Sequence, residues 1–232
     1  MNIERYHKGI YRFYNIEGVG EFPSLTTVLG MLPKSGITLW AVMNTLKFLK
    51  KKKDISKVST YEVFNFHNKL LLATSNEGTS IHDLIEDYAM RGKDSEHNAV
   101  TRYKKFEKES GFICEKAELT VWDAEEYKIA GSLDLFGKCN DIPIVWDLKT
   151  SKEIRLSHKI QACIYKDMYC KLNGLDINSV KSGILLISRD KVRVYKTHIN
   201  TDEEEILYRK IFKLLSSLFH VLLENGLLDL TD

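Results

Sequence analysis

Long apolar runs are missing from this sequence. The longest charge-free stretches, residues 22–33 and 35–46, are 12 residues each, well short of the roughly 20 residues that a membrane-spanning helix needs. Where a secretory leader would have its apolar core, the chain carries Glu4, Arg5, His7 and Lys8. Both gaps lead to the expectation of an intracellular, cytoplasmic protein with no membrane partner. Proline is scarce, at three residues, which argues against long disordered linkers. Cysteine is scarce too. Cys114, Cys139, Cys163 and Cys170 include no C-x-x-C pair, so neither a zinc site nor an iron–sulfur cluster is expected. No G-x-x-x-x-G-K-[ST] occurs, which argues against a nucleotide cofactor and leaves any ATP-driven motor to another chain. Nor does either sign of charge dominate: 34 Lys and Arg stand against 32 Asp and Glu, a net +2. Whole-molecule charge therefore neither demands nor excludes a polyanionic partner.

What is present is a pattern of elements. At 232 residues the chain can bury a full core and sits near the upper size of one decorated domain. Residues 4–22 alternate polar positions with Tyr6, Tyr11, Phe13, Tyr14 and Phe22 around Gly9, Gly18 and Gly20, a pattern for one or two short hairpins. Ser24 and Thr26 introduce an apolar run over 25–32, which should form a short helix stopped by Pro33. Further helices are expected over 38–53, over 61–75, from Gly78 to 91, and over 96–109. Strand-like runs follow at 112–122, 127–137 and 142–149, the first two making a hairpin through 123–126. The order ends with a helix over 155–172 closed by Asn173-Gly174, strands at 180–188 and 191–199 turning at Arg189-Asp190, and a helix from Thr201 or Asp202 to Asn225-Gly226. From residue 78 on, this order implies an α/β fold with a central mixed β-sheet flanked by helices. The N-terminal hairpin and a helical extension, residues 1–76, are expected to pack on a core of 77–232 as one compact domain.

Two segments set charge inside apolar strands: Gly131-Ser132-Leu133-Asp134-Leu135 and Val145-Trp146-Asp147-Leu148-Lys149-Thr150. Side chains two apart on a strand share a face, so Asp147 and Lys149 point one way and Leu148 points into the core. An acid and an amine are costly to bury unless something neutralises them. Asp134 precedes Asp147 by 13 positions, a spacing that suits neighbouring antiparallel strands and would bring the carboxylates together. Converging carboxylates make a hard-oxygen site for magnesium or manganese. A plain ion pair at a strand edge would use the same Asp147 and Lys149. His82 and Glu86 stand one turn apart on a helix face, beside Ile81, Leu84, Ile85 and Tyr88. Taken alone, a histidine there is more often a hydrogen-bonded core residue than a ligand. Gln161 and Tyr165 share a helix face by the same spacing, and alone mean little.

Taken in order, Gly78-Thr79-x-x-His82-x-x-Ile85-Glu86, Gly131-Ser132-Leu133-Asp134, Asp147-Leu148-Lys149-Thr150 and Gln161-x-x-x-Tyr165 resemble the motifs of the PD-(D/E)xK nuclease superfamily, in its RecB-like exonuclease branch. Pro23-Ser24-Leu25-Thr26-Thr27-Val28-Leu29, with Pro33 and Trp40 behind it, is similar to the lead-in of phage exonucleases and the mitochondrial genome-maintenance exonuclease of that branch. The resemblance implies a restriction-endonuclease-like core and a Mg2+- or Mn2+-dependent deoxyribonuclease. It makes Asp134, Asp147 and Lys149 the catalytic set and His82, Asp134, Asp147 and the Leu148 carbonyl the metal ligands. Lys149 would orient or deprotonate the attacking water. Gln161 and Tyr165 would sit behind the ligands or touch the DNA backbone, and Glu86 and Glu118 would be supporting or DNA-facing acids. The residue chemistry agrees: a divalent ion acidifies bound water and neutralises phosphate charge, and a lysine adds positive charge where negative charge develops.

The function this implies is phosphodiester hydrolysis from DNA ends, single strands favoured, in DNA repair or recombination and in a phage or other mobile element. A helicase or recombination partner would be a separate chain. Iron–sulfur relatives need one cysteine ahead of the histidine and three near the C-terminus; here none precedes His82 and none follows Cys170. The rival readings are a duplex exonuclease, a structure-specific or duplex endonuclease of the same fold, and a nucleic-acid-binding module without catalysis. The densest cationic stretch, Lys47, Lys50, Lys51, Lys52 and Lys53 with Lys57 nearby, would either contact phosphates or form a solvated helix end.

Overall fold

The aromatic alternation near the N-terminus folds as an antiparallel meander of β1 (Ile3–Lys8), β2 (Tyr11–Ile16) and β3 (Gly20–Pro23). One side of it buries Tyr14, Ile16 and Phe22 together with Ala130 from farther along the chain. Ser24 then caps α1 (Leu25–Leu29), its Oγ accepting the Thr27 N–H at 3.0 Å. The computed structural model from which these elements are taken describes residues 1–33, 35–187 and 195–230.

Among the described residues the larger sheet has five strands in the order β4 (Phe112–Asp123), β5 (Ile129–Cys139), β6 (Ile142–Lys149), β7 (Lys181–Leu186) and β8 (Lys196–Ile199). All neighbours are antiparallel except β6 and β7. A parallel pair needs a crossover, and α5 (Leu156–Asn173) supplies it. Every side chain of α5 from Ile160 to Cys170 is buried, because the helix packs on the sheet and is covered by α6 (Asp202–Glu224). Its buried charges are paired: Lys166 with Glu205, and Asp167 with the Arg209 guanidinium at 2.7 and 3.1 Å. Gly174, at φ 62°, ends α5 in the left-handed conformation that the Asn173-Gly174 pair foretells. With α4 (Asn98–Ser110), this is the α/β arrangement expected from the sequence, a mixed sheet flanked by helices. Among the described residues no helix is long and apolar enough to cross a membrane.

Several boundaries differ from expectation. The helices expected over 61–75 and from Gly78 are one continuous α3 (Thr60–Arg91). Glycine weakens a helix by about 1 kcal/mol relative to alanine but keeps its N–H, so Asn76 and Gly78 do not stop it as a proline would. The helix expected over 38–53 is α2 (Ser35–Leu49). It winds out through tight turns in which Lys51 and Lys52 N–H bond the Phe48 and Leu49 carbonyls, so Lys50, Lys51, Lys52 and Lys53 follow the helix. The Arg189-Asp190 turn and the start of the strand expected at 191–199 lie outside the described residues.

The chain forms two compact units, one of Met1–Met31 with the residues from His82 on, the other of Leu32–Ile81. The expected division at 76/77 differs from this. The N-terminal meander joins the large sheet's unit because Ser24 bridges Ala130 in β5 and the meander's apolar side packs there. In the second unit, Phe48 of α2 stacks on Phe66 of α3 with centroids 4.7 Å apart, and Thr45 Oγ1 bonds His67 Nε2 at 2.7 Å.

Candidate metal centre

Strand register sets the acids side by side. β5 and β6 pair Phe136 with Val145 and Leu135 with Trp146, so the next rung faces Asp134 with Asp147. β4 and β5 pair Ala117 with Leu135 and Leu119 with Leu133, so the rung between faces Glu118 with Asp134. Opposed residues on neighbouring strands present side chains to the same face. Glu118, Asp134 and Asp147 thus form a row across three strands, and Lys149 and Ser132 share its face by two-residue spacing.

Regular pairing gives way along this row. Beyond the Leu135–Trp146 rung the Leu148 N–H is taken by Asp134 Oδ2, at 2.6 Å. Glu118 has φ 48°, a left-handed conformation that costs a non-glycine residue roughly 1–2 kcal/mol. Its Oε2 accepts the Ser132 hydroxyl at 2.9 Å. His82, on α3, lies against the same acids, with Nδ1 3.4 Å from Asp134 Oδ1 and 3.8 Å from Glu118 Oε1. One ligand atom each from His82, Glu118 and Asp134 fall within 4.8 Å of one another.

Asp147 is fully buried. Lys149 Nζ lies 2.8 Å from its Oδ1 and 2.7 Å from its Oδ2, and 3.2 Å from the Leu148 carbonyl. The ammonium is 3.9 Å from Asp134 Oδ2. Asp147 Oδ2, close as it is to that ammonium, receives no well-directed hydrogen bond.

Burial raises the Asp147 carboxyl, Asp134 adds to the rise, and Lys149 opposes it; the result is a pKa pushed up to about 7. Burial also acts to raise Asp134, but His82, Lys149 and the Leu148 N–H outweigh it and hold that carboxyl below its ordinary range. For His82, burial would lower the pKa, yet Asp134 and Glu118 lift it to about 10. Lys149 is raised against its own burial by Asp147 and Asp134. Three carboxyl groups thus stand around one imidazole and one ammonium, Asp147 buried and Glu118 exposed.

Behind the row stands Tyr165, which occupies the space left by the absent side chain of Gly131. A Cβ at 131 would lie 2.6 Å from Tyr165 Cε1 and 2.8 Å from its hydroxyl. That hydroxyl is hydrogen-bonded to Gln161, and both residues are buried. Within Gly131-Ser132-Leu133-Asp134, the glycine makes room for Tyr165, the serine holds Glu118, and the aspartate joins the row.

The remaining sequence candidates stand elsewhere or act differently. Glu86 directs its carboxylate toward Arg91, at 3.9 Å. Lys47, Lys50, Lys51, Lys52 and Lys53 belong to the other compact unit, where Lys52 bonds Glu62 at 3.0 Å and lies 4.8 Å over the Phe48 ring. Glu118, read from sequence as a supporting acid, sits within the ligand cluster. The hairpin turn at 123–126 carried the signal, since it aligns 118 with 134. Compared with protein-family models and with curated proteins, the sequence finds no match.

Proposed function

We propose that the protein is a Mg2+- or Mn2+-dependent deoxyribonuclease, working as an exonuclease from DNA ends with single strands preferred. The observation that carries the reading is the row of Glu118, Asp134 and Asp147, with His82 against it and Lys149 on Asp147. An imidazole nitrogen, carboxylate oxygens and the Leu148 carbonyl are a donor set suited to a hard divalent cation. Asp147 Oδ2 already pairs with the Lys149 ammonium at 2.7 Å, and the ligand atoms within 4.8 Å of one another are those of His82, Glu118 and Asp134. His82, Asp134, Asp147 and the Leu148 carbonyl would hold the ion, joined by Glu118.

Bound there, a divalent cation supplies charge to the phosphate oxygens and acidifies water. The rest of the chemistry belongs to side chains. Lys149, fixed by Asp147 at 2.7 Å, holds its ammonium where charge builds on the phosphate and orients the attacking water. Asp134 is locked in place by the Leu148 N–H. Tyr165 and Gln161 buttress β5 from behind, so the acids keep their spacing without reorganising. The preference for ends and for single strands rests on the likeness of the Pro23–Leu29 segment and the motif order to the exonuclease branch.

The test is digestion of end-labelled single-stranded, duplex and covalently closed circular DNA with Mg2+ or Mn2+, alongside Asp147→Ala and Lys149→Ala. Release of nucleotides from ends, lost in both variants, is the expected result. Undiminished cleavage by both variants would remove these residues from the chemistry. Cutting of closed circles would replace exonuclease with endonuclease, and binding without cleavage would leave a nucleic-acid-binding module.

A further inference from the structure

Register separates the two faces of the N-terminal meander. Across β1 and β2, Ile3 faces Ile16, Arg5 faces Tyr14 and His7 faces Arg12; across β2 and β3, Tyr14 faces Phe22. Opposed side chains share a face. The apolar end of this one, Ile3, Tyr14, Ile16 and Phe22, packs with Ala130 and Trp122. Its other end holds Arg5, His7 and Arg12. Both acids of the three strands, Glu4 and Glu21, point the opposite way by two-residue alternation, and there Glu21 neutralises Lys8 at 2.6 Å. Among the described residues no carboxylate pairs with Arg5, His7 or Arg12. Arg12 Nε is buried and meets no acceptor, although buried polar groups are nearly always hydrogen-bonded.

The cationic end belongs to the same sheet face as the acidic row. The Arg12 carbonyl accepts the Ser24 N–H at 2.8 Å, and Ser24 bridges Ala130 of β5 in parallel. Along β5, Ala130 shares its face with Ser132 and Asp134. The chain leaving β3 therefore runs with β5, and β2 runs against it, so β2 points its Arg12 end, not its Ile16 end, toward Asp134. Ala130 and Asp134 are about 13 Å apart along the strand, at about 3.3 Å per residue. The Arg12 N–H bonds Thr27 Oγ1 at 3.0 Å, which fixes the backbone on both sides of the side chain. Packing, and not a carboxylate, holds this arginine. Its charge and its planar N–H edges are left for a ligand, and phosphate oxygens match that geometry. We infer that Arg12, with Arg5 and His7 beside it, holds a backbone phosphate of the DNA strand other than the one being cleaved. The inference rests on the nuclease reading for its substrate. A polyanion is repelled by carboxylates and needs cations on the same face to lie along them.

The plainer role is packing of the arginine stem, which needs no ligand. Binding separates the two, measured on the full chain with a labelled single-stranded oligonucleotide and Ca2+ at several KCl concentrations. Loss of one phosphate contact lowers the slope of log K against log salt by about 0.7 and does so whatever the base sequence. Arg12→Gln should show that drop with oligo-dT and with a mixed sequence, and bind about tenfold more weakly, the scale of one hydrogen bond to a charged group. Arg12→Lys should keep the slope. Lys8→Gln, on the opposite face, should bind like the wild type. If Arg12→Gln melts early, the exposed Arg5 carries the test, Arg5→Gln lowering the slope in the same way. A wild-type slope in the Arg12→Gln or Arg5→Gln variant so measured, or an equal drop in Lys8→Gln, overturns the inference while leaving the nuclease reading intact. A wild type that binds the strand but cleaves no DNA ends the nuclease reading, and the slopes still decide Arg12. A wild type that binds no strand overturns the phosphate contact.

Discussion

Asp134 on β5 reaches across to β6 and accepts the Leu148 backbone N–H through Oδ2 at 2.6 Å. The carboxylate stands in for the backbone carbonyl that the diverging strand no longer offers. Two substitutions separate this bond from the charge. Asp134→Asn keeps an oxygen for the N–H and should unfold in urea within about 1 kcal/mol of the wild type. Asp134→Ala orphans the N–H and should cost about 1–3 kcal/mol. Equal stability of the two variants would mean that the N–H finds another acceptor.

Glu118 holds a left-handed backbone, φ 48°, and a place among the ligand atoms of His82 and Asp134. Strain kept at such a place is what a functional site shows when the side chain is needed there. Glycine relieves roughly 1–2 kcal/mol of that strain and returns about 0.5–1 kcal/mol as lost entropy, so Glu118→Gly should leave stability unchanged or raise it by up to about 1.5 kcal/mol. Its response to metal should differ. At about a hundred times its Kd, Mn2+ stabilises a folded protein by about 2.7 kcal/mol, roughly 5–10 °C for a chain of this size. The wild type should show that rise in Tm, and Glu118→Gly a much smaller one. A full rise in the variant would take Glu118 out of the ligand set.

Glu204 closes the capping box at the start of α6 and collects four partners: the Thr201 N–H at 3.0 Å, Lys159 at 2.9 Å, Tyr208 at 3.0 Å and His198 at 3.1 Å. Burial pushes its carboxyl up, but these partners win and bring it down to about 2. A folded-state pKa below the unfolded one means stability that is fully present above about pH 4.5, the ordinary value, and is lost as pH falls toward 2. Melting curves of wild type and Glu204→Gln between pH 7 and 2 should therefore differ by a constant amount above pH 5 and converge toward pH 2. A gap that persists at the acid end would assign the difference to packing.

How much of this was legible in the sequence depended on how local the signal was. β6 announced itself, because Asp147 and Lys149 interrupt Ile144-Val145-Trp146 in a run otherwise fit for burial, and the spacing to Asp134 matched a hairpin rung. Continuity of α3 was hidden, since Asn76 and Gly78 look like a helix start while the ladder simply runs through them. The role of Glu118 was partly hidden: alternation along β4 does not mark it, and only the register with β5 lines it up with Asp134.

The position of β6 in the sheet has a kinetic consequence. It is the third of five strands, bonded along one edge to β5 and along the other to β7, so fraying from either margin reaches it last. Amide protons flanking Asp147 should be among the slowest in the molecule to exchange with deuterium, opening only when the whole sheet opens. Loss of the acidic row on heating or in urea would then be an all-or-none event, timed by global unfolding and not by local breathing.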